Sequence, residues 1–190
     1  HNRVVDLRGA WLNGICVGRV DLRGVLLDGA SLRGAWLTGA KFGNASLKST
    51  DFSPLPLDSD EVGPDDKVGP YNFGWGCARL SLSDFSGADM EGAILREAWL
   101  PGANLGGVSL HRANLAGADL RGASLVRADL QNADLHGAVI EGANLTGAKL
   151  QGTDLCGSRV YGVSAWDVEL DDNDALRRDL IVTPEGQPEV

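Results

Sequence analysis

Large apolar residues recur every five positions along most of the chain, and this spacing constrains the fold more than any other feature. The stretch ANLAGADLRGASLVRADLQNADL has leucine at positions 115, 120, 125, 130 and 135, with alanine two positions before each. A helix repeats every 3.6 residues and a strand every two, so neither element matches a period of five. The pattern therefore predicts a repeat structure in which each five-residue unit adopts the same conformation.

Two runs of these units account for most of the sequence. The first has ten central apolar residues, from Leu7 to Phe52, and the second has seventeen, from Leu80 to Val160. After Val160 a weaker spacing predicts that the repeat continues towards position 170. Phe52 and Leu80 are 28 residues apart, which is not a multiple of five. The coil is therefore predicted to be interrupted there and to restart in a new phase.

The five positions of a unit have different structural roles. Residues two apart on extended backbone share a face, so the central residue and the small residue two before it point inward. Glycine recurs two positions after the central residue, as at Gly9, Gly14 and Gly24, where its conformational freedom suits a corner. Extended segments that bend repeatedly in one direction form a coil, and stacked coils pair about 4.8 Å apart. The pattern therefore predicts a β-solenoid.

Units such as ADLRG, ADLQN, ADLHG and ANLTG resemble the A(D/N)LxG units of pentapeptide repeat proteins, over residues 5–57 and 75–165. The resemblance implies an all-β fold, a right-handed four-sided parallel β-helix of about seven coils interrupted by one long loop. We expect the β-helix within residues 1–170, with a loop insertion at 58–74, and an acidic tail or linker over 171–190. The C-terminal YGVSAWDVEL and LIVTPEGQPEV resemble the junction before a second, TIR-like domain, which favours a module of a larger bacterial protein.

The negative charge is concentrated outside the coils. The formal net charge is −9, made up of +3 in residues 1–57, −4 in 58–74, −2 in 75–160 and −6 in 161–190. The resemblance offers one alternative function, because quinolone-resistance members of the family mimic duplex DNA and bind DNA gyrase. A DNA mimic needs negative charge along its whole length. The nearly neutral coils therefore disfavour gyrase binding.

No pattern of residues predicts catalysis. The sequence lacks a nucleophile elbow, a phosphate-binding loop and an HExxH motif. His111 and His136 are predicted to lie on different outward faces, neither with a catalytic partner. The Asp or Asn that precedes many central residues is interpreted as structural, because short polar side chains hydrogen-bond to nearby backbone. We therefore expect a protein that is not an enzyme.

The sequence also predicts no metal site and no cofactor. Glu169, Asp171 and Asn173 alternate as in a calcium loop, but the glycine and the final glutamate of that loop are missing. The cysteines are far apart in the sequence and form no CxxC pair; they are Cys16, Cys77 and Cys156. No stretch approaches the roughly 18 apolar residues of a membrane span. A cytoplasmic protein without membrane contact is expected.

Three tryptophans and the acidic loop are the predicted binding residues. Tryptophan is enriched at the energetic centres of protein interfaces; the alternative is that the loop or the tail covers these side chains. Coils of four units would align Arg79, Trp99, Asp119, Val139 and Arg159 on one face. The candidates for protein interaction are Trp11, Trp36, Trp99, Asp60, Glu61, Asp65, Asp66 and Tyr71.

The predicted function is therefore that of a rigid scaffold that binds an unidentified protein partner. A homodimer or end-to-end stacking through uncapped coil ends is a further alternative. Direct binding of nucleic acid is not expected.

Overall fold

The computed structural model describes residues 4–55 and 77–170, and these residues form a four-sided stack of coils. Each extended segment is one residue long and pairs in parallel with a residue in the next coil, as Asp6 does with Leu26 and Trp99 with Asp119. Both pairs are 20 residues apart, so four five-residue units make one coil. None of the described residues is helical, and none therefore forms a helix that could cross a membrane.

The paired residues form four columns along the stack, and we name each column a face. Each face contains seven or eight residues, which agrees with the predicted seven coils. Face A consists of Cys16, Trp36, Arg79, Trp99, Asp119, Val139 and Arg159. Face B consists of Asp21, Lys41, Asp84, Asn104, Ser124, Asn144 and Ser164. Face C consists of Asp6, Leu26, Ser46, Asp89, Ser109, Asp129, Lys149 and Glu169. Face D consists of Trp11, Ser31, Asp51, Ile94, Asn114, Asp134 and Asp154.

The stack is continuous across the interruption in the sequence. Trp36 pairs with Arg79, and Asp51 with Ile94, at a separation of 43 residues instead of 20. The backbone N–H of Leu37 donates to the Arg79 carbonyl at 2.8 Å, as it would between ordinary neighbouring coils. The new phase exists in the sequence, but in the fold the faces continue in register. The predicted insertion at 58–74 and the predicted tail at 171–190 lie outside the described residues.

Backbone hydrogen bonds define each unit. The N–H of Leu100 donates to the Asp119 carbonyl at 2.8 Å, and the N–H of Asp119 donates back to the Ala98 carbonyl at 3.0 Å. A turn closes the unit through a 3.0 Å bond from the N–H of Ala103 to the Leu100 carbonyl. Its third residue, Gly102, has a φ of +65°, the left-handed conformation that glycine adopts without strain. The predicted glycine corner is therefore confirmed.

Nine corners hold this positive φ without glycine. Left-handed backbone costs an ordinary L-residue roughly 1–2 kcal/mol, and less for Asn or Asp. These corners are therefore tolerated because the bonds on both sides fix them. The residues are Arg19, Asn44, Ser49, Leu82, Glu97, Arg112, Arg127, Asn132 and Asp167.

The interior holds one large and one small side chain per unit, as predicted. Leu120 and its partner Ala118 are both completely buried. Phe42 and Phe85 are central residues of adjacent coils, and their rings stack with centroids 4.8 Å apart and planes 1° apart. That distance equals the spacing between paired strands. Stacking of like residues in successive coils therefore fills the narrow core without voids.

The repeat continues through residue 170, beyond the last strong unit. Ser164 pairs with Asn144, and Glu169 pairs with Lys149, which confirms the weak continuation. At the opposite end of the described stack, inward-pointing side chains are partly uncovered, with Val17 43% exposed. Trp166, in the final described coil, is 78% exposed.

The Asp or Asn before a central residue has the structural role predicted for it. The Asp134 Oδ1 accepts the N–H of His136 at 2.9 Å, and the Asn114 Oδ1 accepts the N–H of Ala116 at 3.0 Å. These bonds satisfy the first N–H of a corner that would otherwise face solvent. The same bond is made by Asp84, Asp89, Asn104, Asp119, Asp129, Asn144 and Asp154.

Removing a central side chain should destabilise the whole stack. Leu120→Ala leaves a cavity in an interior that coils on both sides hold at fixed spacing, so we expect a loss of about 2–5 kcal/mol in the free energy of unfolding. Chemical denaturation followed by far-UV circular dichroism measures this loss. Ile94→Ala is the control, because Ile94 points outward and is 38% exposed. Equal losses for the two variants would contradict the inward assignment.

The Asp21 carboxylate should titrate at unusually low pH. The Arg23 guanidinium donates to both Asp21 oxygens, at 2.9 and 2.6 Å, and lowers the pKa of Asp21 from 3.8 to about 2. We expect Arg23→Ala to raise this pKa in an NMR titration of carboxyl carbons. Because the folded pKa is below the unfolded one, the pair stabilises the fold above about pH 4, and this stabilisation is lost as the pH falls towards 2.

Asp6 provides the internal control for this titration. Its pKa is also lowered to about 2, through an equivalent contact with Arg8. It should stay low in the Arg23→Ala protein. An Asp21 pKa that does not move in that protein would show that Arg23 is not the cause.

Candidate functional site

Face A brings two of the three candidate tryptophans into one column. Trp36 pairs with Arg79, which pairs with Trp99, so the two tryptophans are two coils apart, or about 10 Å at strand spacing. The Arg79 guanidinium lies over the Trp36 ring, 4.2 Å from its centroid. This is the geometry of a cation–π contact, which contributes about 0.5–1 kcal/mol at an exposed site.

A second arginine covers Trp99 from the neighbouring corner. The Arg121 guanidinium lies 5.6 Å from the centroid of the Trp99 ring. Its Nε and Nη2 atoms donate to the Asp119 carboxylate, whose side chain is only 15% exposed. Asp119 thus fixes the arginine beside the ring. We call the surface formed by Trp36, Arg79, Trp99 and Arg121 the Trp–Arg column.

Leu82 adds an apolar side chain at the edge of this surface. It occupies the corner that follows Arg79, with a φ of +56°, and is 70% exposed. Its Cδ2 atom lies over Gly102, where a Cβ would come within 2.9 Å of it. An exposed leucine in a glycine position is strained and lacks compensating burial. Sequence reasoning missed Leu82, although the unit RLSLS shows leucine where glycine usually stands.

The structure separates the third candidate tryptophan from the other two. Trp11 is on face D, where it pairs with Ser31, and it is 81% exposed. Trp36 and Trp99 are only partly exposed, because arginine side chains stack on them. The remaining candidates lie outside the described residues; they are Asp60, Glu61, Asp65, Asp66 and Tyr71.

The predicted alignment on this face is confirmed from Arg79 to Arg159. The prediction omitted Trp36, because its offset to Arg79 is 43 residues and a step of twenty does not reach it. Near the C-terminal end of the face, Arg159 approaches Glu141 with an Nη2–Oε1 distance of 2.8 Å. This face therefore combines aromatic rings, arginines and partly covered carboxylates.

A separate group of polar side chains lies beside face D. The ligand atoms of His136, Asp154 and Cys156 lie within 4.8 Å of one another. The prediction that His136 has no partner was therefore wrong. His136 and Cys156 are separated by 20 residues, one full coil, and that separation is the sequence signal that could have identified the cluster.

Charges of both signs alternate over the described coils. Residues 4–55 and 77–170 contain fifteen acidic and thirteen basic side chains. Several are paired across coils or corners, as Lys48 is with Asp89 and Arg96 with Glu97. The described part of the coil therefore presents no continuous acidic face.

Comparison with known proteins agrees with this architecture. The profile described as pentapeptide repeats matches in eight copies, over residues 18–53, 75–100, 95–125 and 123–160. The plasmid-mediated fluoroquinolone resistance protein QnrB1 is similar, with a TM-score of 0.54 and 16% identity over 90% of this chain and 92% of QnrB1. Identity at that level shows a common fold only. No curated protein matched the sequence.

Two further solved structures share more sequence over a shorter length. A pentapeptide repeat protein from the thylakoid lumen of Arabidopsis thaliana is 39% identical over 57% of this chain and 80% of its own, with a TM-score of 0.45. Another, from Nostoc PCC 7120, is 33% identical over 53% of this chain and 84% of its own, with a TM-score of 0.46.

The family profile covers most of the coil residues and follows the same five-residue period as the backbone pairs. The structural neighbours are right-handed β-helices, and the four faces seen here are those of the predicted four-sided fold. The chain therefore belongs to the pentapeptide repeat family.

Proposed function

We propose that this chain is a non-enzymatic, rigid scaffold that binds a protein partner through the Trp–Arg column of face A. The observation that supports the proposal is the placement of Trp36 and Trp99 on one face with Arg79 between them. Tryptophan and arginine are the residues most enriched among interface hot spots. A column held by backbone bonds in every coil is ordered before binding, so little ordering entropy opposes association.

The charges on the column indicate the chemistry of the partner. Arg121 and Arg159 are paired with Asp119 and Glu141, whereas Arg79 forms no ion pair with any described carboxylate. Its guanidinium lies flat over Trp36, and the edge of a stacked guanidinium can still donate hydrogen bonds. We expect the partner to place a carboxylate at Arg79 and apolar groups beside the rings.

Leu82 supports the same surface from the corner. Residues held in sparsely populated backbone conformations cost about 1–3 kcal/mol and cluster at functional sites. Burial of an exposed leucine side chain by a partner would contribute roughly 1.5–3 kcal/mol. Its energetic benefit is therefore expected in the complex and not in the free protein.

The charge distribution favours this proposal over gyrase binding by DNA mimicry. A mimic must reproduce a line of negative charge, and the described faces mix fifteen acids with thirteen bases. A DNA gyrase supercoiling assay separates the two functions. Inhibition of supercoiling at micromolar protein would favour mimicry, whereas unchanged activity agrees with the scaffold proposal.

Substitution of both face A tryptophans should abolish partner capture. The immobilised wild type and the Trp36→Ala/Trp99→Ala variant are each incubated with lysate of the source cell, and the retained proteins are quantified by mass spectrometry. We expect at least one acidic protein to be retained by the wild type and lost from the double variant. Circular dichroism verifies that the variant remains folded.

Trp11→Ala is the matched control for this capture experiment. It removes the most exposed of the three tryptophans from face D and should leave capture unchanged. A partner that depends on Trp11, or one that binds the double variant as well as it binds the wild type, would show that face A is not the binding surface. Light scattering against protein concentration tests the alternative of self-assembly through coil ends.

Leu82→Gly should separate stability from binding. Glycine adopts the positive φ of this corner without strain, so we expect the free energy of unfolding to stay constant or to increase by about 0.5–1 kcal/mol. The same substitution removes apolar contact area, so partner recovery should decrease. A clear loss of stability would show that Leu82 packs in the free protein, and unchanged recovery would remove it from the site.

A further inference from the structure

We propose that His136, Asp154 and Cys156 form a binding site for a zinc-type transition-metal ion beside face D. This proposal is independent of partner binding by face A. It rests on three different ligand types that the coil brings together, although two of them are a full coil apart in sequence. Their imidazole nitrogen, carboxylate oxygen and sulfur atoms lie within 4.8 Å of one another.

The distances are close to those of a bound zinc ion. Zn–S bonds are about 2.3 Å long, and Zn–N and Zn–O bonds are about 2.0–2.2 Å, so tetrahedral donors lie roughly 3.3–3.6 Å apart. Contraction from 4.8 Å requires only rotation of side chains. His136 is exposed, and Asp154 and Cys156 are partly exposed. Solvent on one side leaves room for these rotations.

The backbone fixes the relative position of the ligands. His136 and Cys156 occupy the same corner position in successive coils, and the N–H of Gly137 donates to the Cys156 carbonyl at 2.9 Å. Asp154 pairs with Asp134 of the preceding coil. All three ligands are therefore on adjacent coils whose separation is set by backbone hydrogen bonds. A metal site on such a support does not need to order a loop.

A local hydrogen bond orients the carboxylate. The Asp154 Oδ1 accepts the backbone N–H of Cys156 at 2.9 Å. This bond limits the rotation of the carboxylate and leaves the second oxygen, Oδ2, as the donor to a metal. Oriented ligands of this kind bind metals more tightly because less freedom is lost on binding.

The donor set and its surroundings select the class of ion. Thiolate, imidazole and carboxylate together suit zinc and its neighbours in the first transition row, whereas calcium and magnesium prefer oxygen ligands alone. Asp134, on the adjacent coil of the same face, adds a second carboxylate nearby. A dication would reduce the repulsion between these acids. Three protein ligands leave a fourth position that faces solvent, where water completes a tetrahedron.

Cobalt(II) substitution provides a direct test of the ligands. The full chain, free of affinity tags, is reduced and titrated with Co²⁺ and then with Zn²⁺. We expect a near-ultraviolet thiolate-to-cobalt charge-transfer band, visible bands of tetrahedral cobalt, and loss of both when Zn²⁺ displaces Co²⁺. Cys156→Ala should remove the charge-transfer band. His136→Ala and Asp154→Asn should each weaken Zn²⁺ binding by at least about tenfold, the lower range reported even for outer ligands.

Matched variants distinguish this site from non-specific binding. His111→Ala and Cys16→Ala remove the same residue types elsewhere on the coil and should leave the spectrum and the affinity unchanged. Circular dichroism shows whether each variant keeps the coil. Absence of the charge-transfer band, or zinc binding that persists in either His136→Ala or Cys156→Ala, would overturn the three-ligand site. Equal loss in the control variants would also overturn it.

Discussion

Backbone hydrogen bonds between successive coils are the constraint on which the rest of this structure depends. Each unit donates to the coil after it and receives from it, as Leu100 and Asp119 do. Bonds of this length hold the coils at strand spacing, so a side chain must fit against the one 20 residues away. The core satisfies this requirement by stacking, which is clearest for the rings of Phe42 and Phe85. The positive φ at the corners lets the backbone return into register.

The same spacing produces the functional groupings on the outside. Arg79 stacks on Trp36, and His136 approaches Cys156, because each pair occupies equivalent positions in adjacent coils. Neither pair is local in sequence. The inward residues are limited by the volume of the interior, whereas the outward residues are limited only by their neighbours in the column. Chemistry can therefore vary along each face while the fold stays constant.

Much of the fold follows from the sequence, but the site follows only in part. The period of five separates inward from outward residues, and glycine two places after Leu7 or Leu22 identifies the corners. The coil length is not in the period, since any number of sides could close a coil; it came from the family resemblance. Without a step of 20, His136 and Cys156 are unrelated. Trp36 was missed for another reason, because the 43-residue offset to Arg79 changes the step at one coil only.

The rigidity of the stack determines how its two proposed sites relate to each other. Coupling between distant sites requires an element with two alternative arrangements that both sites influence. In the described coils, corners such as Gly102 and centres such as Leu120 are fixed by backbone bonds and complete burial on both sides. Sites without shared contacts behave additively. Partner binding at face A and metal binding beside face D should therefore be independent, which is the behaviour expected of a scaffold that displays preformed surfaces.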